Sequence, residues 1–348
     1  MWEAADMKGQ PKMTIREISE RAGVSIATVS RVINGRGKYS EDTKGKVWRV
    51  IEDSNYYINV AAHNLRMNAS KTIGLILPDL TNEFFAKITA SIESKLFTLG
   101  YSNIICNPPD TGTYEQQYQA LVELHNVCGI ICIFGREAVV GNLALNVPVV
   151  FLGQPKFQES MDRRPCAWIT ADYRSRSFDA TEELLKKGCR RIVYMQQQEQ
   201  QDDRCYARYS QRHLGFLDAL GKRDVPVEDC LFCRLRDSTV ESAYQALSVL
   251  LKDHSEIDGI LSNSALSAVG AIHALKAVGK QVPRDARVVS YDDTSMSKFF
   301  SPQITSISMD VDQYVSLAVS LIQKLIRGDT LEQKEYQVAS RLIIREST

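Results

Sequence analysis

The chain lacks any apolar run of the roughly 18–20 residues that a membrane-crossing helix needs. Its first twelve residues hold no hydrophobic block, so no secretory signal is expected there. Residues 1–12 read instead as a disordered leader, with Met13 a second candidate start. The chain has no excess of charge of one sign, with 42 bases against 42 acids. Three common catalytic signatures are missing: G-x-x-x-x-G-K-S/T, G-x-S-x-G and H-E-x-x-H. The five histidines are scattered. Catalysis therefore has no positive support, and neither an enzyme nor a cofactor is expected. Cysteine is present, with eight residues, but its placement suits packing rather than metal. Several sit in apolar runs such as Ile104-Ile105-Cys106, where a free thiol behaves as a small hydrophobe. The one C-x-x-C, Cys230-Leu231-Phe232-Cys233, has no second pair at zinc spacing, so no metal site is expected. Free thiols without a signal point to the cytoplasm. There are no repeats and no low-complexity segments. The C-terminal end carries no leucine heptads, so dimers are expected rather than tail-linked tetramers.

The even charge total hides an uneven spread. Residues 13–70 hold nine bases against six acids, which leaves a mildly acidic body behind a mildly basic front. Such a front suits nucleic acid. Residues 14–53 carry three short helical periods, and 59–68 a short polar-apolar linker. From Thr72 onward strand-like runs alternate with helical ones. The strand candidates are 73–77, 103–106, 129–134, 147–152, 191–195, 259–261, 287–291 and 342–345. Helical periods such as 84–99, 114–126 and 175–187 lie between them. This alternation predicts parallel sheets covered by helices. Its length exceeds one typical domain, so two doubly wound α/β lobes are expected behind an all-α head.

The head has the layout of a helix-turn-helix. Thr14 and Glu17 match a capping box, Gly23 supplies a tight turn, and Ser25 is a good N-cap for the next helix. On that second helix, Ser25, Thr28, Val29, Val32 and Ile33 fall on one side. Ile26, Ala27, Ser30, Arg31 and Asn34 fall on the other. Hydroxyls and amides suit phosphates, a guanidinium suits guanine O6 and N7, and small apolar groups suit thymine methyls. A third helix is expected from Ser40, burying Val47, Val50 and Ile51 together with Trp48. The competing reading is a plain surface hairpin of helices.

The run from Met13 to Gly35, with its Val-Ser-x-x-Thr-Val-Ser-Arg-Val-Ile-Asn core, resembles the head of the lactose/galactose repressor (LacI/GalR) family of transcription regulators. The likeness continues through Ile73-Gly-Leu-Ile-Leu-Pro-Asp, Arg212-His-Leu-Gly-Phe and Val289-Ser-Tyr-Asp-Asp. It implies a repressor that binds palindromic operator DNA as a homodimer and responds to a small-molecule effector, a sugar by preference. By this resemblance Ile26, Ala27 and Arg31 fall on base-reading positions. Ser25, Thr28, Ser30, Asn34, Lys38 and Tyr39 fall on phosphate-contacting ones. Residues 59–70 correspond to the family's hinge helix, and Leu65 to the leucine that wedges into the minor groove. Such a short segment folds only when something offsets its ordering cost. Two departures bear on the hinge: Asn55, the best substitute at a left-handed position, stands for the usual glycine, and Ile58 loses the proline that pre-sets the hinge entry, which weakens its folding.

The resemblance implies a two-lobed periplasmic-binding-protein-like body joined by three crossing strands. Lobe 1 is expected over about 71–170 and 306–332, and lobe 2 over about 171–305 and 333–348. Ligands of open parallel sheets sit beyond the strand C-termini. Phe84, Phe85, Glu137, Arg212, Asn263 and Asp292 all follow predicted strands or open helices. Together they offer a bidentate donor, acidic acceptors, an amide and an aromatic wall, which suits vicinal hydroxyls. Arg212, Asn263 and Asp292 match the family's effector positions. Glu83 stands where the family usually has proline, and Ser264 replaces a common aspartate. Two alternatives stay open: the same fold used as a sugar-binding protein, and a regulator controlled by a partner protein.

Overall fold

The computed structural model describes residues 13–33, 37–54, 70–107, 122, 124–133, 147–153, 165–197 and 210–348. The chain divides into two units, 1–70 and 71–348. The leader, most of the hinge with Leu65, Asn55 and Ile58, and the candidates Asn34 and Glu137 lie outside the described residues.

In the first unit α1 (Ile15–Ala22), α2 (Ile26–Ile33) and α3 (Glu41–Asp53) enclose a core of Ile18, Ala22, Val29, Val32, Val47 and Ile51. Each helix begins on a local signal. Thr14 Oγ1 accepts from the Glu17 amide at 3.3 Å, and the Glu17 carboxylate accepts from the Thr14 amide at 2.6 Å. Ser25 Oγ accepts from the Thr28 amide, and Ser40 Oγ from the Thr43 amide. Gly23 ends α1 at φ +63°, a left-handed conformation that glycine adopts without strain. Trp48 departs from expectation: it is 36% exposed, while Val47 beside it is fully buried. Only about a third of a helix's circumference can face so small a core, and Val47 and Ile51 fill that stripe.

The second unit starts with β1 (Thr72–Ile76), α4 (Glu83–Thr98), β2 (Ser102–Cys106), β3 (Gly129–Ile133), β4 (Val149–Leu152) and β5 (Cys166–Ala171). It continues with α5 (Tyr173–Lys186), β6 (Ile192–Gln197), α6 (Gln211–Lys222), β7 (Leu231–Leu235), α7 (Val240–Asp253) and β8 (Gly259–Ser262). Then come α8 (Ala265–Ala277), β9 (Arg287–Ser290), α9 (Ser295–Phe299) and β10 (Thr305–Met309). It closes with α10 (Val311–Arg327), β11 (Glu335–Val338) and β12 (Ser340–Ile343). Two six-stranded sheets result, in the orders β11-β5-β4-β3-β1-β2 and β12-β10-β9-β8-β6-β7. All their pairings are parallel except β10 with β12. The central strands β3, β4 and β8 are buried at every position, as strands covered on both faces must be.

The chain passes between the sheets three times: after β5, after β10, and between β11 and β12. The expected lobe boundaries at 306 and 333 are corrected by this pairing. β10 belongs to the second sheet through β9 and β12, so the return to the first lobe begins at Asp310. β11 pairs with β5 in the first sheet, so the last crossing falls near Ala339. Asp172 and Asp310 cap the helices that follow the first two crossings.

Four strands escaped the sequence reading: β5, β7, β10 and β11. β10 is the instructive one. It buries Thr305 and Ser306, and tertiary partners satisfy both hydroxyls: Thr348 for the first, Asp293 and Arg345 for the second. Cys230 and Cys233 pack into two different cores, so the C-x-x-C does not converge on one point. Burial pushes both thiols up to about 11.

Candidate functional site

The head displays its candidate reading residues on the outside of α2. Val29 and Val32 are buried, whereas Ser25, Ile26, Ala27 and Arg31 are exposed. Thr28 and Ser30 are half-buried, Lys38 is exposed, and Tyr39 packs against the head core. Other head bases are engaged with acids along the same helix, as in Arg16–Glu20 and Lys46–Asp42. Arg31 pairs with no carboxylate among the described residues. Sequence reasoning missed what supports it. Gly37, at φ +85°, lets the chain run close to Arg31, and a Cβ there would sit 3.2 Å from Arg31 Cδ. A glycine directly before the Lys38-Tyr39 pair was a signal in plain view only once the turn was known.

In the body, three of the candidates gather at the C-terminal rim of the second sheet. Arg212 stands in the first turn of α6. A Cβ on Gly215 would lie 2.0 Å from the Arg174 carbonyl, so glycine is required for α6 to approach α5 this closely. The approach brings Arg212 into an aromatic slot, with its guanidinium carbon 4.1 Å from the Tyr291 ring centre and 5.0 Å from that of Tyr173. Tyr291 Oη donates to Ser177 Oγ at 2.6 Å, and Ser177 Oγ donates to the Arg212 carbonyl at 2.5 Å. Tyr291, Tyr173 and Ser177 were not singled out from the sequence, because only the contact of α5 with α6 and β9 makes them neighbours of Arg212.

Asp292 follows β9 and is buried beside Arg212. Burial pushes its carboxyl up to about 6, and the Arg212 charge opposes that shift. Its backbone is held firmly. The Asp292 amide donates to Ser290 Oγ, and its carbonyl accepts from Ser290 Oγ and Ser297 Oγ. The next residue behaves differently. Burial also works against the charge of Asp293, but hydrogen bonds from Arg345 and Ser306 hold its carboxyl below the usual range. Asp293 is thus committed to a buried ion pair, while Asp292 has no such partner fixed to its carboxylate among the described residues.

Asn263 follows β8, next to β9 in the sheet. Its Nδ2 donates to Ser238 Oγ at 3.2 Å, and Ser238 Oγ donates to Gln197 Oε1 at 3.2 Å. Its Oδ1 is buried with no partner among the described residues. Ser264, in place of the family's aspartate, keeps the capping role: its Oγ accepts from the Ser267 amide at 3.2 Å. Phe84 opens α4 in the other lobe. It lines an interlobe cavity with Lys87, Asp293 and Thr294, and this cavity does not reach Arg212 or Asn263 among the described residues. Phe85 packs against the first core and edge-on to Phe84, with ring centres 5.6 Å apart.

Residues 14–59 match the model of bacterial regulatory proteins of the lacI family, and 181–348 that of a periplasmic binding protein-like domain. The regulator RegA of Clostridium saccharobutylicum is 30% identical over 341 residues, 96% of this chain and 99% of that protein. The chain belongs to the LacI family. It is a DNA-binding transcription regulator and not an enzyme, as its curated relatives are regulators. The ribose operon repressor of Halalkalibacterium halodurans is 27% identical, over 96% of this chain and 97% of that one. A solved Lac repressor dimer bound to operator and the anti-inducer ONPF superimposes with a TM-score of 0.82 at 25% identity, covering 97% of this chain and 99% of the other. The family architecture accounts for both halves of this LacI-type chain: a helical head, and a body of two parallel-sheet lobes. No described helix is long and apolar enough to cross a membrane.

Proposed function

We propose that this LacI-family regulator is a cytoplasmic homodimeric repressor whose grip on a palindromic operator changes when a sugar enters the body between the lobes. The observation that carries the reading is the outer face of α2: Arg31, exposed and with no carboxylate partner among the described residues, beside exposed Ile26 and Ala27, on a helix whose inner face is fixed in the head core. In a dimer two such helices are spaced about 34 Å apart, one turn of DNA. Arg31 takes a guanine edge, and Ile26 and Ala27 meet thymine methyls. Ser25, Thr28, Ser30, Asn34, Lys38 and Tyr39 hold phosphates. Residues 59–70 form the hinge, with Leu65 as the wedge, and 71–348 form the effector and dimer unit.

On the effector side, Arg212 and Asn263 supply directed donors, and Asp292 and Asn263 Oδ1 supply acceptors already removed from water. Phe84 and Phe85 supply the apolar wall, and Glu137 a further acceptor. Vicinal hydroxyls present donor and acceptor at once, which suits such a mixed set. Relatives that include a ribose operon repressor support a sugar over a carboxylate.

Sedimentation velocity on the full chain with a palindrome from upstream of its own coding region tests this, with and without a panel of mono- and disaccharides that begins with D-ribose. The expected result is salt-sensitive dimer binding that one sugar weakens or strengthens. Specific binding that no sugar alters overturns the effector reading, and no specific binding overturns the operator reading.

A further inference from the structure

Glu83 makes a contact that the usual proline at its position does not allow. Its carboxylate reaches from the first residue of α4, in lobe 1, to the first residue of α9, in lobe 2. The Ser295 amide donates to Oε1 at 2.9 Å and to Oε2 at 3.1 Å, and the Ser295 hydroxyl donates to Oε2 at 2.5 Å. The first amides of any helix have no partner within it and need a cap. Thr294, the N-cap residue of α9, makes no side-chain capping bond. The cap is supplied instead across the gap between lobes.

We infer that Glu83 and Ser295 form an interlobe clasp that sets the balance between lobe arrangements, and through it the strength of the operator response. Three features give the clasp leverage. First, it joins the two walls that a ligand must touch. Glu83 directly precedes Phe84, and α9 holds the Asp292 backbone through Ser297 Oγ at 2.8 Å. Second, the bonds are charge-assisted, so they are strong for their number. Third, both partners are solvent-accessible, so water replaces the bonds readily when the lobes part. A contact of that strength biases a two-state equilibrium without locking it. Any rotation of one lobe about the three crossings that separates α4 from α9 breaks it.

The sequence offers a clean variant. Proline is well tolerated at the first position of a helix, because its missing amide is an orphan there. The preceding Asn82 is extended, at φ −79° and ψ 118°, as a residue before proline must be, and its Oδ1 caps α4 through the Phe84 amide. Glu83→Pro therefore keeps α4 intact and removes only the clasp.

The test uses the ligand-free full chain, as wild type, Glu83→Pro and Ser295→Ala. The first readout is amide hydrogen exchange in peptides spanning 293–300. Glu83→Pro, a change in lobe 1, is expected to speed exchange at the start of α9 in lobe 2 by about 3- to 10-fold, with the melting temperature and peptides from α8 unchanged. The second readout is affinity for the cognate operator by fluorescence anisotropy, expected to change by about 3- to 10-fold in the same variant. Ser295→Ala, which keeps the amide bonds, is expected to give a smaller shift in the same direction. Unchanged exchange in Glu83→Pro overturns the clasp. Faster exchange with unchanged operator affinity reduces it to a helix cap and overturns its role in the switch. The second readout rests on the proposed operator function. A wild-type protein that binds no operator sinks that function and the switch with it, while the exchange result alone still decides the clasp.

Discussion

The head and the body present their candidate residues in opposite ways. On α2, Ile26, Ala27 and Arg31 stand in solvent, and a core of six buried residues is enough to aim them. In the body, Arg212 lies against two tyrosine rings, Asp292 is buried, and Asn263 carries an unmatched buried acceptor. A surface that must meet a long polyanion gains from display and mobility. A pocket that must choose among small polar molecules gains from groups that have lost their water before the ligand arrives, because a wrong ligand then leaves them unpaired. The cost of that arrangement is visible at Asp292, whose carboxyl resists ionisation.

The contrast is broken most severely from the head's interior. Ile18→Ala empties a fully buried position in that small core and should cost about 2–5 kcal/mol. Operator binding by anisotropy is expected to vanish at 37 °C, while the main calorimetric transition, from the body, stays in place.

Asp292→Asn acts in the other direction. The folded-state pKa of about 6 lies above the ordinary aspartate value of 3.8, so the folded chain holds this proton more tightly than the unfolded one. Above pH 6 the charged Asp292 therefore destabilises the fold. The penalty is relieved as pH falls from about 6 towards 4. At pH 7 the amide should stabilise the body by up to about 3 kcal/mol. Denaturant titrations at pH 4.5 and pH 7 check this: the wild type loses stability relative to the variant as pH rises. The same substitution should abolish the effect of any sugar on operator binding.

Arg31→Ala should cost about 1–3 kcal/mol on the cognate operator and little on random DNA, measured as the ratio of the two affinities. An unchanged ratio would remove Arg31 from the base-reading set. The smallest expected effect sharpens the same point. Gly37→Ala places a Cβ at positive φ and 3.2 Å from Arg31 Cδ. It should cost about 1 kcal/mol of stability and weaken operator specificity less than Arg31→Ala does.

Much of the head was legible because its signals are local. The Thr14–Glu17 box, the turn at Gly23 and the caps at Ser25 and Ser40 each involve residues a few places apart, and the structure forms each of them. Trp48 was misread because helical period gives a face but not the width of the core beneath it. In the body, runs such as 129–134 announced strands by their apolarity. β10 did not, because its buried Thr305 and Ser306 are satisfied by residues some 10 to 45 positions away in sequence, a range that local pattern reading does not cover. The lobe boundaries slipped for the same reason: β11 declares its sheet only by pairing with β5.

By itself the sequence determined the helical head and the alternation that makes parallel sheets, and it offered candidates for the chemistry: Arg31 from its helix face, and Arg212, Asn263 and Asp292 from their places after strands together with the family resemblance. Only the tertiary structure decided what surrounds them. It set Gly37 behind Arg31, and Tyr173, Tyr291 and Ser177 around Arg212. It buried Asp292 with no fixed partner among the described residues, gave Asp293 to Arg345, and carried Glu83 across to Ser295. The physical reason is range. Caps and periods are set within one or two turns of chain. Desolvation and pairing depend on which distant segments pack together, and those two effects fix what a buried side chain can do.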